Sequence, residues 1–196
     1  MEIYYATTNQ GKIQSLRRRF TESDVTVTQV PIDIPEPRSN DVQKIARAKV
    51  VFAYRQLRKP VVALDAGFYI PVLNGFPRAF VNFALETVGL DGILRLVEGK
   101  DRSCEFRECL AYLDDSLSEP KYFIAHIKGT LSLEQKGVMQ PHHWSKLALI
   151  FIPEGKKKTL GEMNHDEYAG WSQNAKEKES SAQQFAEWLV QLRRQS

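Results

Sequence analysis

A chain of 196 residues with 42% apolar content can bury a core without staples, and its length predicts one domain over 1–196 with two lobes around a cleft. A formal net charge of +3 argues against nucleic acid as the partner, and the basic runs at 17–19, 156–158 and 193–194 read as solvated faces. Membrane partners are also excluded, since no apolar run reaches the ~18 residues of a membrane span.

Residues 1–6, β-branched and aromatic, predict a first strand. The polar stretch Thr7-Thr8-Asn9-Gln10-Gly11-Lys12 then opens a helix on which Ile13, Leu16 and Phe20 recur at helical spacing. A polar loop between a strand and a helix N-terminus gathers backbone N–H groups, hydroxyls and an ammonium, which is phosphate-binding chemistry. Capping by Thr8 or Asn9 accounts for the same residues, and the GxxxxGK[ST] spacing of a P-loop is absent. Residues 25–30 alternate as a second strand. Glu36 follows between Pro35 and Pro37, which stiffen the loop and fix where its carboxylate points.

From a cap at Ser39 or Asn40 a long helix is expected to run to about Leu57, with Val42, Ile45, Ala46, Lys49 and Ala53 on its inner face. A lysine on an apolar face either snorkels to solvent or reaches an anion. Residues 61–64 read as a short strand buried on both faces, ending in a turn at Asp65-Ala66-Gly67. An acid at a strand tip is well placed for work, because open α/β sheets present ligand sites at the carboxyl ends of strands. The alternative is a plain turn-forming Asp. Leu73-Asn74-Gly75-Phe76-Pro77 is a second turn cluster, expected to close over the first.

Residues 90–98 predict a short helix with Ile93, Leu94 and Val97 inward, and 106–113 and 122–130 predict two antiparallel strands around a polar turn. Cys104 and Cys109, five apart on one strand, point to opposite faces and are not expected to pair; free thiols suit a reducing cytoplasm, and the start of the chain is no signal peptide. His126 reads as a packed or surface residue. Adjacent side chains at His142-His143-Trp144 diverge on an extended segment, and no acid or Cys stands at ligand spacing, so zinc is not expected. Residues 147–152 predict another apolar strand, and 159–168 a polar helix or loop. Residues 180–194 predict an amphipathic helix packing Phe185, Trp188, Leu189 and Leu192. The fold expected is α/β, a long twisted mixed sheet with helices on both sides.

Taken together, residues 6–12, Glu36, Lys49, Leu64-Asp65-Ala66-Gly67 and Leu73-Asn74-Gly75-Phe76-Pro77 resemble the inosine triphosphate pyrophosphatase family over nearly the whole chain. These enzymes hydrolyse altered purine nucleoside triphosphates to the monophosphate and pyrophosphate. The resemblance implies that Thr7, Asn9, Lys12 and Lys49 hold the triphosphate, with Glu36 close to Mg²⁺. Asp65 would bind Mg²⁺ or activate water, and the chain would form a homodimer. The departures are as informative. The family's D-D-S-G becomes Leu64-Asp65-Ala66-Gly67, and its G-F-G-[YF]-D-P falls on residues 144–149, with Ala148 at the acid. Trp144 is one residue out of register for stacking a base, and core packing is its default reading. Tyr168 replaces a base-reading lysine, and Ser172-Gln173-Asn174 replaces S-H-R. The expected function is thus a Mg²⁺-dependent nucleotide pyrophosphatase with altered base specificity. The alternative is a nucleotide-binding or interaction module that kept the fold and lost the chemistry.

Overall fold

The structure, a computed structural model, describes residues 1–21, 23–35, 37–174 and 180–194. Seven strands form a mixed sheet among the described residues: β1 (Glu2–Ala6), β2 (Thr26–Val30), β3 (Val61–Tyr69), β4 (Pro77–Arg78), β5 (Ser103–Leu113), β6 (Lys121–Leu131) and β7 (Phe151–Pro153). Their order is β2-β1-β3-β5-β6-β7, with β4 also on β3. β1 lies parallel to both β2 and β3, whereas β4 and β7 run antiparallel to their neighbours. Parallel neighbours need crossovers, and helices α1 (Gln10–Arg17) and α2 (Val42–Leu57) supply them. The other helices are α3 (Val81–Thr87), α4 (Gly89–Leu96), α5 (His165–Asn174) and α6 (Ser181–Arg194).

The chain forms two compact units, one of Met1–Ala66, Glu108–Ala125 and Lys178–Ser196, the other of Gly67–Arg107 and His126–Glu177. In the first, Ile13 and Leu16 of α1, Ile3 and Tyr5 of β1 and Phe185 of α6 are buried together. The Phe185 ring meets Phe20, Tyr112 and Phe123 at centroid distances of 6.0, 5.3 and 5.5 Å. In the second, Phe68, Phe106 and Phe151 form a ring cluster, with Phe68–Phe106 at 4.7 Å and Phe106–Phe151 at 4.9 Å. Ile93, Leu94 and Val97 pack in the same core. Both cysteines are buried and free, as their spacing on one strand predicts.

Four expectations are corrected. β3 does not end before Asp65; it continues to Tyr69. Gly67 makes no turn there. It lets β4 approach, since a Cβ at this position would lie 2.6 Å from the Arg78 carbonyl oxygen. The turn comes later, where Pro71–Leu73 forms a 3-10 helix and Asn74 and Gly75 take φ of 54° and 86°. The cap of α2 is Asp41, whose carboxylate accepts from the N–H groups of Gln43 and Lys44; Ser39 instead supports Asp41 by accepting from its N–H. Residues Lys146–Leu149 form a 3-10 helix capped by Ser145, and only Phe151–Pro153 extend as a strand. An apolar run cannot by itself separate a buried helical turn from a strand. Leu192 of α6 is exposed, while Phe185 and Leu189 are buried.

Candidate active site

The first unit brings three of the predicted site residues to one place. Lys49 lies on the inner face of α2, next to the buried Val50 and one turn from the buried Ala46 and Ala53. Its Nζ donates to Asp65 Oδ1 at 2.8 Å, and the side chains are only 13% and 11% exposed. Of the two fates open to a lysine on an apolar face, reaching an anion is the one observed. The partner sits in mid-strand on β3, yet at the end of its neighbour. β1 pairs Tyr4 with Val61 and Tyr5 with Val62 and stops at Ala6. Asp65 is therefore level with the loop that follows β1. The strand-end geometry expected of a ligand site survives, with β1 rather than β3 supplying the end.

That loop is shaped by its own side chains. Thr7 Oγ1 accepts from the Asn9 N–H at 3.1 Å, and Asn9 Oδ1 accepts from the Lys12 N–H at 3.1 Å, capping α1. Lys12 Nζ turns back to the carbonyl of Leu64, the residue before Asp65, at 3.5 Å. Thr7, Asn9 and Lys12 thus combine a helix N-terminus with a cation, the arrangement that attracts phosphate. Leu64, at the family's first acid position, packs against the apolar core of this unit. Glu36 lies outside the described residues.

Cys109 stands near these acids without sharing their chemistry. Burial first, then the charges of Asp65 and Asp41, push its thiol up to about 12, so it carries no thiolate at neutral pH. Among the described residues no group of three or more His, Cys, Asp or Glu is placed to hold a metal ion.

The second unit contains a feature that the sequence flagged only in part. Phe106, Ile127, His143, Trp144, Tyr168 and Trp171 line a small pocket of about 30 Å³, with Ala148 also at its wall. Trp144 and Tyr168 come from the stretches where the chain departs from the resembled family. Tyr168 and Trp171 are three apart on α5 and meet at 5.5 Å. His142 lies on Tyr168 at 4.1 Å and edge-on to His143 at 4.5 Å. Burial pushes both imidazoles below their usual value of 6.5, with His165 adding to the effect at His142 and His142 at His143. The sequence reading weighed His142 and His143 only against zinc, which it did not expect, and did not place His143 on a pocket wall. The side chains of Gln173 and Asn174 are outside the described residues.

Comparison with known proteins bears on this arrangement. The model of the Ham1 family matches residues 3–185. A protein of Saccharolobus solfataricus named dITP/XTP pyrophosphatase is 33% identical over 96% of this chain and 94% of its own length. One of Methanopyrus kandleri with the same name is 31% identical over 96% of both chains. Among solved structures, a HAM1 protein from Coxiella burnetii superposes with a TM-score of 0.79 at 19% identity, covering 97% of this chain and 99% of its own. The Staphylococcus aureus Ham1 protein gives 0.74 at 24% identity, covering 98% and 97%. At those identities the structures speak for the fold.

Proposed function

This chain belongs to the Ham1 family, and from that premise we propose that it is a nucleoside-triphosphate pyrophosphatase. Its reaction adds water to a phosphoric anhydride and releases pyrophosphate and a nucleoside monophosphate. The observation that carries this reading is the meeting of Lys49 with Asp65 at 2.8 Å, with the Lys12 ammonium reaching the Leu64 carbonyl. A triphosphate carries about four negative charges, and phosphoryl transfer depends chiefly on neutralising and positioning them. Lys12 and Lys49 would do so, with the Thr7–Asn9 loop and the N-terminus of α1 offering N–H donors. Asp65 would take the proton of the attacking water at a carboxylate oxygen, as a general base. Lys49 holds that oxygen in place in the free protein and, once phosphate arrives, can share its donors between the two.

The resemblance also implies Mg²⁺, and of the two carboxylates it names the structure describes Asp65. Mg²⁺ is held through one or two carboxylates together with substrate phosphates and water. Asp65 would be one such carboxylate and Glu36 the other. When bound, the ion would offset phosphate charge and make phosphorus a better electrophile. The reading includes a homodimer, which light scattering on the purified chain tests.

Base preference is proposed to be altered. Neutral Tyr168 stands at a lysine position, and Gln173 and Asn174 replace His and Arg. Charge-assisted donors are roughly twice as strong as neutral ones. Inosine and xanthosine triphosphates are therefore expected to be preferred over canonical-base nucleotides by no more than about tenfold. Pyrophosphate release across a nucleotide panel with saturating Mg²⁺ or Mn²⁺ is the test. No release from any nucleotide at micromolar enzyme overturns the proposal. The packing of Leu64 into the core favours a second reading, a nucleotide-binding module without turnover. Ligand-induced thermal stabilisation with no product would select it.

A further inference from the structure

The second unit also carries a groove of about 730 Å³, bounded by Glu105, Lys128, Gly129, Ile152, Lys156 and Lys157, and every residue lining it belongs to that unit. Its volume is in the range of small-molecule sites. Side chains alternate along a strand, so Glu105 on β5 and Lys128 on β6 leave the sheet on the face opposite Phe106 and Ile127. The charge of the groove is unbalanced. Glu105 is already engaged, Oε1 accepting from Arg107 Nε at 2.7 Å and Oε2 meeting His126 Nδ1 at 3.0 Å. The basic run at 156–158 divides: Lys158 donates to Glu167 at 2.6 Å, whereas Lys156 and Lys157 line the groove. Lys128, Lys156 and Lys157 have no hydrogen-bond or ion-pair partner among the described residues, and Glu154 is the one other carboxylate of the lining. The backbone brings the three together. Glu154 N–H donates to the Lys128 carbonyl and Lys156 N–H to the Pro153 carbonyl, both at 3.0 Å, which ties the turn after β7 to β6. Gly155 takes φ of 74° in that turn, and nothing lies within 4 Å of where its Cβ would be, so the space beside the turn is open. Like charges gathered on one rim repel, and an anion in the groove would offset them.

We propose that this groove binds the di- or triphosphate group of a small molecule, through residues that include neither Lys12, Lys49 nor Asp65. The inference does not rest on the pyrophosphatase reading above. Lysine is a compact point charge with three rotatable donors, suited to phosphate oxygens that need no fixed fork geometry. Three of them on one rim match an anion with several charged oxygens better than a single carboxylate. The groove is wider than a phosphate group alone, and Ile152 and Pro153 give it an apolar stretch on which an uncharged part of the ligand can rest. Because the three lysines are exposed, each contact is screened, and binding weakens as ionic strength rises.

The test is calorimetric titration of the full chain with inorganic tripolyphosphate, at low ionic strength and with EDTA present. A Lys12→Ala/Lys49→Met background removes the cations of the candidate active site and should still bind about one equivalent. In that background Lys128→Ala, Lys156→Ala and Lys157→Ala should each weaken binding roughly two- to fivefold, and all three together about ten- to a hundredfold. Arginine at the three positions keeps the charge and should keep the binding. Alanine at Lys59, Lys100 and Lys121, three exposed lysines away from the groove lining, removes the same net charge and should change affinity less than about twofold. Should the Lys12→Ala/Lys49→Met background fail to fold, the wild type is titrated instead, and the groove variant should lose one of two equivalents. No binding outside the Lys12 and Lys49 site overturns the inference, as do equal losses in the two triple-alanine variants. A short single-stranded oligonucleotide that binds through the same three lysines more tightly than tripolyphosphate also overturns it, assigning the groove to a nucleic-acid backbone. Absence of any equivalent that depends on Lys12 and Lys49 counts against the pyrophosphatase reading alone.

Discussion

Asp65→Asn separates the chemical from the structural work of the carboxylate. The substitution hardly changes shape but leaves the Lys49 ammonium, 2.8 Å away and only 13% exposed, facing a neutral amide. Breaking a buried pair by removing one partner costs about 3–5 kcal/mol. The lysine stem can relax towards solvent, so the lower end, about 3 kcal/mol, is expected. For a chain of this size that lowers Tm by about 6–12 °C. Lys49→Met should be less harmful alone, and the double variant should recover stability, because no charge is then left uncompensated. Urea unfolding of the four proteins closes the cycle, with an expected coupling above about 1 kcal/mol. Pyrophosphate release should vanish in Asp65→Asn even at temperatures where it is fully folded. Near-full activity in Asp65→Asn would show that the carboxylate is neither base nor metal ligand. A coupling near zero would show that the ion pair contributes nothing beyond its separate members.

Lys12→Ala removes a charge-assisted phosphate contact worth about 1.5–3 kcal/mol, so KM should rise roughly ten- to a hundredfold; unchanged steady-state kinetics would put Lys12 outside the site. Gly67→Ala forces a Cβ to within 2.6 Å of the Arg78 carbonyl oxygen, and overpacking of this kind costs about 1–3 kcal/mol, read as a lower urea midpoint. His142 titrates below its usual value because of burial and then His165. The unfolded chain therefore takes up this proton first, and stability present above about pH 6.5 is lost as pH falls through the lower folded value. Between pH 7.5 and 5.5 the urea midpoint of His142→Phe should fall less than that of the wild type, and equal falls would contradict the burial argument.

The periodicity of the chain carried much of its local structure. Residues 1–6, 25–30 and 61–64 fell on β1, β2 and the start of β3, and Ile13, Leu16, Phe185 and Leu189 proved buried on their helices. Such patterns are legible because one face of each element must leave water, whatever its neighbours are. The same logic marked the unusual charges. Lys49 on an apolar helix face and Asp65 on a buried strand each stood out against their surroundings, and the ordered motifs identified the family.

Packing decided the rest, because it depends on partners far along the chain. Nothing local to Lys49 specifies Asp65, sixteen residues away; α2 lying on β3 does. The place of Asp65 beyond the end of β1 follows from strand register, which involves two segments more than fifty residues apart. Gly67 reads as a turn until β4 is seen to cross within reach of its missing Cβ. The pocket of Trp144, Tyr168 and Trp171 arises in the same way. Hydrophobic pattern selects elements; donor, acceptor and charge pairing become definite only when those elements meet.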